Sequence, residues 1–338
     1  MSDPRATLSA EFLRTAGWGS ADRRFLAGDA SNRSYDRLVL GPRRAVLMDA
    51  PPEKGEATGP FVTMARHLRA LGLSAPAILA EDAAHGFLLL EDLGDDLFAR
   101  VLDHTPALEN SLYAAATDTL AHLQSQPVPP GLPLHAADFM AGAAGLSVSW
   151  YAFAVTGRRC DPAPLIAAMA RALATHCSAP PVLVLRDYHA ENLLWLPDRA
   201  GLARVGLLDF QMGSIGQPGY DLISLLQDAR RDVAPATEAA MIVRFAAATA
   251  ADLAWMQTHC AVLGVQRALR ILGGFSRLSL HFGKPGYVRL IPRVWAHLHR
   301  NLAHPALADL ATAAQILPEP SPQALQRITD QCGTVPTL

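Results

Sequence analysis

Apolar and polar positions change rhythm part-way along this chain. Over residues 23–50, RRFLAGDASNRSYDRLVLGPRRAVLMDA, apolar runs at 38–40 and 45–48 flank Gly41-Pro42, which predicts two strands joined by a hairpin turn. Residues 59–73 switch to helical spacing, with Phe61, Met64, Ala65, Leu68 and Leu71 on one face. A buried strand is predicted at 87–90, ending at Glu91-Asp92-Leu93-Gly94. From about residue 97 onward the pattern is mainly helical, with helices predicted over 108–124, 137–156, 164–177, 220–228, 238–256, 262–281 and 288–302. Two short strands, 182–185 and 204–209, interrupt these helices and read as an embedded hairpin, with a turn at 197–201. No fixed-period repeat is visible. The expected fold class is α+β and bilobal: a small β-rich N-terminal lobe with its hinge over 1–94, and a large helical C-terminal lobe over 95–338.

Composition narrows the function. A chain of 338 residues exceeds one ordinary core, which agrees with two lobes. Half of its residues are hydrophobic and 18% are charged, a globular rather than a disordered balance. The formal net charge of -2 leaves no basic excess for a phosphate backbone, so nucleic acid is excluded as the expected partner. Cys160, Cys177, Cys260 and Cys332 lie far apart without a CxxC pair, which predicts free thiols in a reducing compartment. Residues 1–16 carry Asp3, Arg5, Glu11 and Arg14 and lack a signal-peptide core. The uncharged stretch 139–157 is long enough to span a bilayer, but its Ala, Gly and Ser content reads as a buried core helix. A cytoplasmic protein without a membrane partner is expected.

The residues that carry chemistry are in LRDYHAENLLWL and, just after it, VGLLDFQMG. Asp187 and Asn192 have the spacing D-x-x-x-x-N on a loop after an apolar strand, and Asp209 emerges from the end of the next one. Phosphoryl transfer needs little covalent help but much alignment and charge neutralisation. A carboxylate can take the proton of an acceptor hydroxyl, while an amide oxygen and a second carboxylate hold Mg²⁺ against the phosphates. Asp187 is therefore the expected catalytic base, and Asn192 and Asp209 the expected metal ligands.

These segments resemble the aminoglycoside phosphotransferase and choline kinase branch of the protein-kinase-like fold. GDASNRSY, VLMDAPP and LLLEDLG match it in order as nucleotide loop, third strand and hinge. The runs MDAPPEK, LDFQ, YDLISLL, LGVQRALRILGGFSRL and GKPGY add a narrower resemblance, to the anomeric sugar kinases of bacterial peptidoglycan recycling. Those enzymes phosphorylate the C1 hydroxyl of N-acetylmuramate and N-acetylglucosamine. The resemblance implies ATP and Mg²⁺ as cofactors and a small sugar as substrate. It also implies nucleotide contacts at Gly28, Ser31, Asn32 and Arg33, with Glu91 and Leu93 meeting adenine through backbone groups. Asp221, at the start of a helix, reads as a cap or loop anchor rather than a catalyst.

Two features of the chain depart from that pattern or leave it open. Protein kinases carry a lysine on the third strand, where this chain has Met48; Lys54 or Arg33 would have to supply the charge. Trp150, Tyr151, Arg230, Arg231, Lys284 and Tyr287 are the candidates for the acceptor site, because aromatic faces stack on sugars and cations meet a carboxylate. The rival expectations are a kinase of another hydroxyl compound, aminoglycoside-like or choline-like, and a nucleotide-binding pseudokinase. The first needs clustered carboxylates for a polycation; the second is opposed by the intact Asp187, Asn192 and Asp209.

Overall fold

The computed structural model describes residues 4–28 and 32–336. The chain forms two compact units, Met1–Leu108 with Glu191–Gly213, and Glu109–Ala190 with Ser214–Leu338. Among the described residues the strands are β1 (Asp22–Gly28), β2 (Ser34–Leu40), β3 (Arg43–Asp49), β4 (Ile78–Asp82), β5 (Phe87–Glu91), β6 (Val182–Val184), β7 (Leu193–Trp195), β8 (Val205–Leu207) and β9 (Ser214–Gly216).

The first unit is built on an antiparallel five-stranded sheet in the order β1-β2-β3-β5-β4. The predicted hairpin is β2–β3, turning at Gly41 with φ +59, a left-handed conformation that glycine adopts without strain. β3 is exposed at Arg43 and Arg44 and buried from Ala45 to Asp49, and β5 is buried from Phe87 to Leu90. The helix Gly59–Ala70 buries Phe61, Met64, Ala65 and Leu68, the face its spacing predicted. Each large side chain there contributes roughly 1.5–3 kcal/mol by leaving water. An N-terminal helix, Pro4–Thr15, was not legible from spacing because few of its residues are buried. Phe12 stacks on Phe87 at 5.7 Å, and Arg5 pairs with Asp49. The hairpin β7–β8 completes this unit, through bridges from Leu97 to Leu194 and from Ser74 to Gly206.

The second unit is helical, with β6 and β9 paired antiparallel. The expected hairpin between 182–185 and 204–209 does not form: the first strand pairs with β9 and the second with β7. These strands are three residues long, too short for their apolar pattern to specify a partner. The expected helix 238–256 is cut instead into Pro235–Ala248 and Leu253–Leu280. Ala250 turns the chain with φ +54, and Asp252 caps the next helix by accepting from the Trp255 N–H at 2.7 Å. The expected helix 137–156 is irregular: Ala137–Ala144, a π-helical turn Ser147–Ala152, then Phe153–Thr156. By length and composition this stretch could cross a membrane, but 56% of its apolar window is buried inside the protein. Gly273 explains part of that burial, since a Cβ there would meet the Leu146 carbonyl carbon at 2.3 Å.

Candidate active site

The first unit holds a cavity of about 360 Å³, within the size range of small-molecule sites. Val46, Phe61, Leu90, Leu93, Leu194 and Leu208 supply apolar walls, and Gly28 and Tyr35 approach from β1 and β2. Met48, in the place of the kinase lysine, is 1% exposed and belongs to the core. Glu91 and Leu93 both line the cavity. The Glu91 carboxylate turns to its own scaffold, accepting from Arg199 at 2.6 Å and from the Ala77 N–H at 3.1 Å. Arg199 also donates to Ser74 Oγ at 2.7 Å, which in turn donates to the Ala203 carbonyl at 2.6 Å. The next residue, Asp92, pairs with Arg37 at 2.8 Å, and Arg37 reaches Asp95 at 2.6 Å. The segment 91–95 is thus held by ion pairs from two arginines while it lines the cavity. Neither Arg199 nor Arg37 stood out in the sequence, because their partners are distant along the chain.

Asn192 and Asp209 come together through the β7–β8 register. Leu193 faces Leu207, and the Leu208 N–H donates to the Asn192 carbonyl at 3.0 Å, so the residues flanking the hairpin lie side by side. Asn192 Nδ2 is 3.4 Å from Asp209 Oδ2, and Gln211 donates to Asp209 Oδ1 at 2.5 Å. Asp209 has φ +53, an uncommon backbone state for a non-glycine residue. Both residues line the cavity.

At the loop after β1, Asn32 Nδ2 donates to the Lys54 carbonyl at 3.3 Å, and the Asn32 N–H donates to Glu56 at 3.0 Å. Arg33 pairs with Glu56 at 3.4 Å, while Lys54 is exposed. Ser31 lies outside the described residues.

Asp187 belongs to the helical unit, half-buried after β6. Its loop is fixed on both flanks. The N–H groups of Leu185 and Arg186 donate to the fully buried Asp221 carboxylate at 2.6 and 2.8 Å, and Tyr188 Oη donates to the Ala116 carbonyl at 2.9 Å. Arg186 is held at φ +74, a strained state that the two bonds to Asp221 secure. Asp221 is therefore the loop anchor its helix-start position suggested. Burial pushes its carboxyl up to about 6, against the two N–H donors and Arg267. His189, also on this loop, is held neutral: burial, with the charges of Arg230 and Arg267, lowers it to about 3.

The acceptor candidates fall in separate settings within the helical unit. Trp150 and Tyr151 are buried, and the Tyr151 hydroxyl donates to the Pro318 carbonyl at 2.7 Å. Tyr287 packs on Phe275 at 5.2 Å and Lys284 is exposed. Arg230 and Arg231 follow the helix Tyr220–Leu226, where the Arg230 N–H donates to Asp228 at 2.9 Å.

A family model described as the phosphotransferase enzyme family matches residues 22–259. The chain belongs to this family. As a member of it, the protein is a small-molecule kinase with an α+β, protein-kinase-like fold. It is 39% identical, over 92% of its length and 96% of the relative's, to the N-acetylmuramate/N-acetylglucosamine kinase of Caulobacter vibrioides. A kinase of the same name from Pseudomonas aeruginosa is 32% identical over 91% and 93%. Among solved structures, a choline/ethanolamine kinase family protein from Mesorhizobium loti superposes with a TM-score of 0.60 at 15% identity, covering 92% of this chain and 99% of that one.

Proposed function

We propose that this protein is an ATP-dependent, cytoplasmic kinase of N-acetylated amino sugars, which phosphorylates the anomeric hydroxyl of N-acetylmuramate and N-acetylglucosamine. The observation that carries this reading is the 39% identity, over nearly the whole chain, to a kinase of that name. In this reading the cavity of the first unit takes the nucleotide, with adenine against the backbone of Glu91 and Leu93 and the phosphates under Gly28, Ser31, Asn32 and Arg33. Asn192 and Asp209 would hold Mg²⁺. They offer an amide oxygen and a carboxylate, hard oxygen ligands of the kind Mg²⁺ takes one or two at a time, with phosphate and water filling the rest. The bound ion would neutralise phosphate charge.

Asp187 accepts the proton of the acceptor hydroxyl as its oxygen bonds to the γ-phosphorus and the bond to the ADP oxygen breaks. The Asp221 anchor supports this role by fixing the backbone immediately before the base. Arg230, Arg231, Lys284 and Tyr287 stay as candidates for outer acceptor contacts, whereas the burial of Trp150 and Tyr151 suits packing.

The test is ADP release by the purified protein with Mg–ATP and a panel of acceptors, with ³¹P NMR to place the new phosphate. Turnover with the two N-acetyl sugars, giving an anomeric phosphate, is expected. Turnover confined to an aminoglycoside or to choline would overturn the reading.

A further inference from the structure

The helical unit holds a polar cluster that the phosphoryl chemistry above does not use. Arg267 and Arg270 lie one turn apart on the helix Leu253–Leu280. Arg267 is only 7% exposed, and its Nε and Nη1, like Nε of Arg270, are buried without a hydrogen-bond partner. Among the described residues neither arginine makes an ion pair. Buried cations are ordinarily paired, because an uncompensated one is costly. Other polar groups of this unit are met: Gln227 and Asn301 bond reciprocally at 2.8 and 3.1 Å, and the exposed Arg300 pairs with Glu238.

His135 joins the same cluster. Its ring meets Tyr220 edge-on at 5.0 Å, and the Arg267 guanidinium lies over the other partner of that contact, the Tyr220 ring, at 5.5 Å. His135 Nδ1 is buried and has no partner. Burial and the positive charges of Arg186, Arg270 and Arg267 lower His135 to about 4, so a neutral imidazole with one N–H to donate stands among three cations. Asp221 and Asp228 offset Arg267 only from beyond ion-pair distance. Beside His135, at 5.6 Å, the ring of Phe139 is 60% exposed. Preorganised donors without an acceptor, next to an open aromatic face, describe a site for an anion carried on a ring. Arg186 directly precedes the base, so the cluster borders the loop where an acceptor must lie.

We propose that Arg267, Arg270 and His135 read the carboxylate of the acceptor, and that Phe139 offers its face to the sugar. This inference rests on the amino-sugar reading. N-acetylmuramate carries a lactyl ether with a carboxylate; N-acetylglucosamine has a bare hydroxyl at that carbon. The cluster is what distinguishes the two.

The test compares kcat/KM for both sugars in the full-length protein and in Arg267→Met, Arg270→Met and Arg267→Lys, with circular dichroism to verify folding. The ratio of N-acetylmuramate to N-acetylglucosamine is expected to fall about tenfold or more in the methionine variants, the scale of a lost charge-assisted bond. Arg267→Lys should fall between them and the unaltered protein, since it keeps charge but loses the guanidinium fork. If Arg267→Met does not fold, Arg270→Met and Arg267→Lys decide. A ratio unchanged within about twofold, or a rise confined to the KM for ATP, overturns the inference while leaving the amino-sugar reading intact. An unaltered protein that turns over neither sugar overturns that reading, and this inference with it.

Discussion

The two units treat their buried charges differently. In the first, charge is matched locally: Arg37 with Asp92 and Asp95, Arg199 with Glu91, Arg5 with Asp49. These pairs brace the sheet and the segment after β5 around a cavity whose walls are mostly apolar. In the second, outer arginines are matched as well, Arg293 with Asp232 and Arg300 with Glu238, but Arg267 and Arg270 keep buried donors without partners, and Asp221 spends its carboxylate on two backbone N–H groups. A nucleotide is common to many kinases and can be met by backbone and apolar walls. An acceptor is particular, and recognising it calls for unspent side-chain donors. On the reading proposed above, the paired charges of the first unit belong to scaffold and the Arg267–Arg270 cluster to selection of the acceptor.

The sharpest way to break this division is to remove a chemical group from each side. Asp187→Asn is expected to lower turnover by about two orders of magnitude or more while nucleotide affinity, read by calorimetry, stays nearly intact. Asp209→Ala or Asn192→Ala should do the reverse, weakening Mg–ATP binding; unchanged metal dependence in both variants would remove the metal assignment.

A smaller effect concerns pH. Asp221 is ionised above about 6, and only the carboxylate accepts fully from both the Leu185 and Arg186 N–H groups. Turnover should therefore decline as pH falls through about 6, and Asp221→Asn, with a single acceptor oxygen, should lack that limb of the pH–rate profile. The stability sign is opposite. Burial raises this carboxyl above its ordinary value, so its ionisation costs stability as pH rises towards 6. A turnover limb that persists in Asp221→Asn would place the titrating group elsewhere.

The smallest expected effect belongs to the phosphate loop. Lys54→Ala or Arg33→Ala should raise the Michaelis constant for ATP by about tenfold, ~1.4 kcal/mol. Arg33 already pairs with Glu56, and the Lys54 carbonyl anchors Asn32, so both positions also brace the loop. Wild-type ATP dependence in both variants would mean that the triphosphate charge is met by other residues.

The candidate residues Asp187, Asn192 and Asp209 stood out in the sequence because they are charged or polar positions beside short apolar strands, which local pattern displays well. The helix 59–73 was legible for the same reason, its buried face repeating every turn. What pattern could not show were partners remote in sequence. Asp221 could be read as an anchor but not as the anchor of Leu185 and Arg186, some 35 residues away. Arg267 and Arg270 fall within the run LGVQRALRILGGFSRL, but only the structure shows that donors of both guanidinium groups are buried without partners. The Asp252 cap was readable in principle, since an Asp before an apolar run is a helix-start signal. The strands of three residues carried too little alternation to choose between β8 and β9 as a partner.

The discontinuity of the first unit has a consequence for how the protein is made. Translation delivers Met1–Leu108 first, but Glu191–Gly213 belongs to the same compact body. Until that later segment leaves the ribosome, Ser74 and Glu91 wait for Arg199, and the strand edge of β7–β8 is missing. The intervening helical segment, Glu109–Ala190, must wait in turn for Ser214 onward. The five-stranded sheet and its core of Phe12, Leu38, Leu47, Phe87 and Leu89 lie within the first of these segments, yet neither body is complete until its later segment joins it. Because the chain passes between the two bodies three times, their completion is a late event even where their folding begins early.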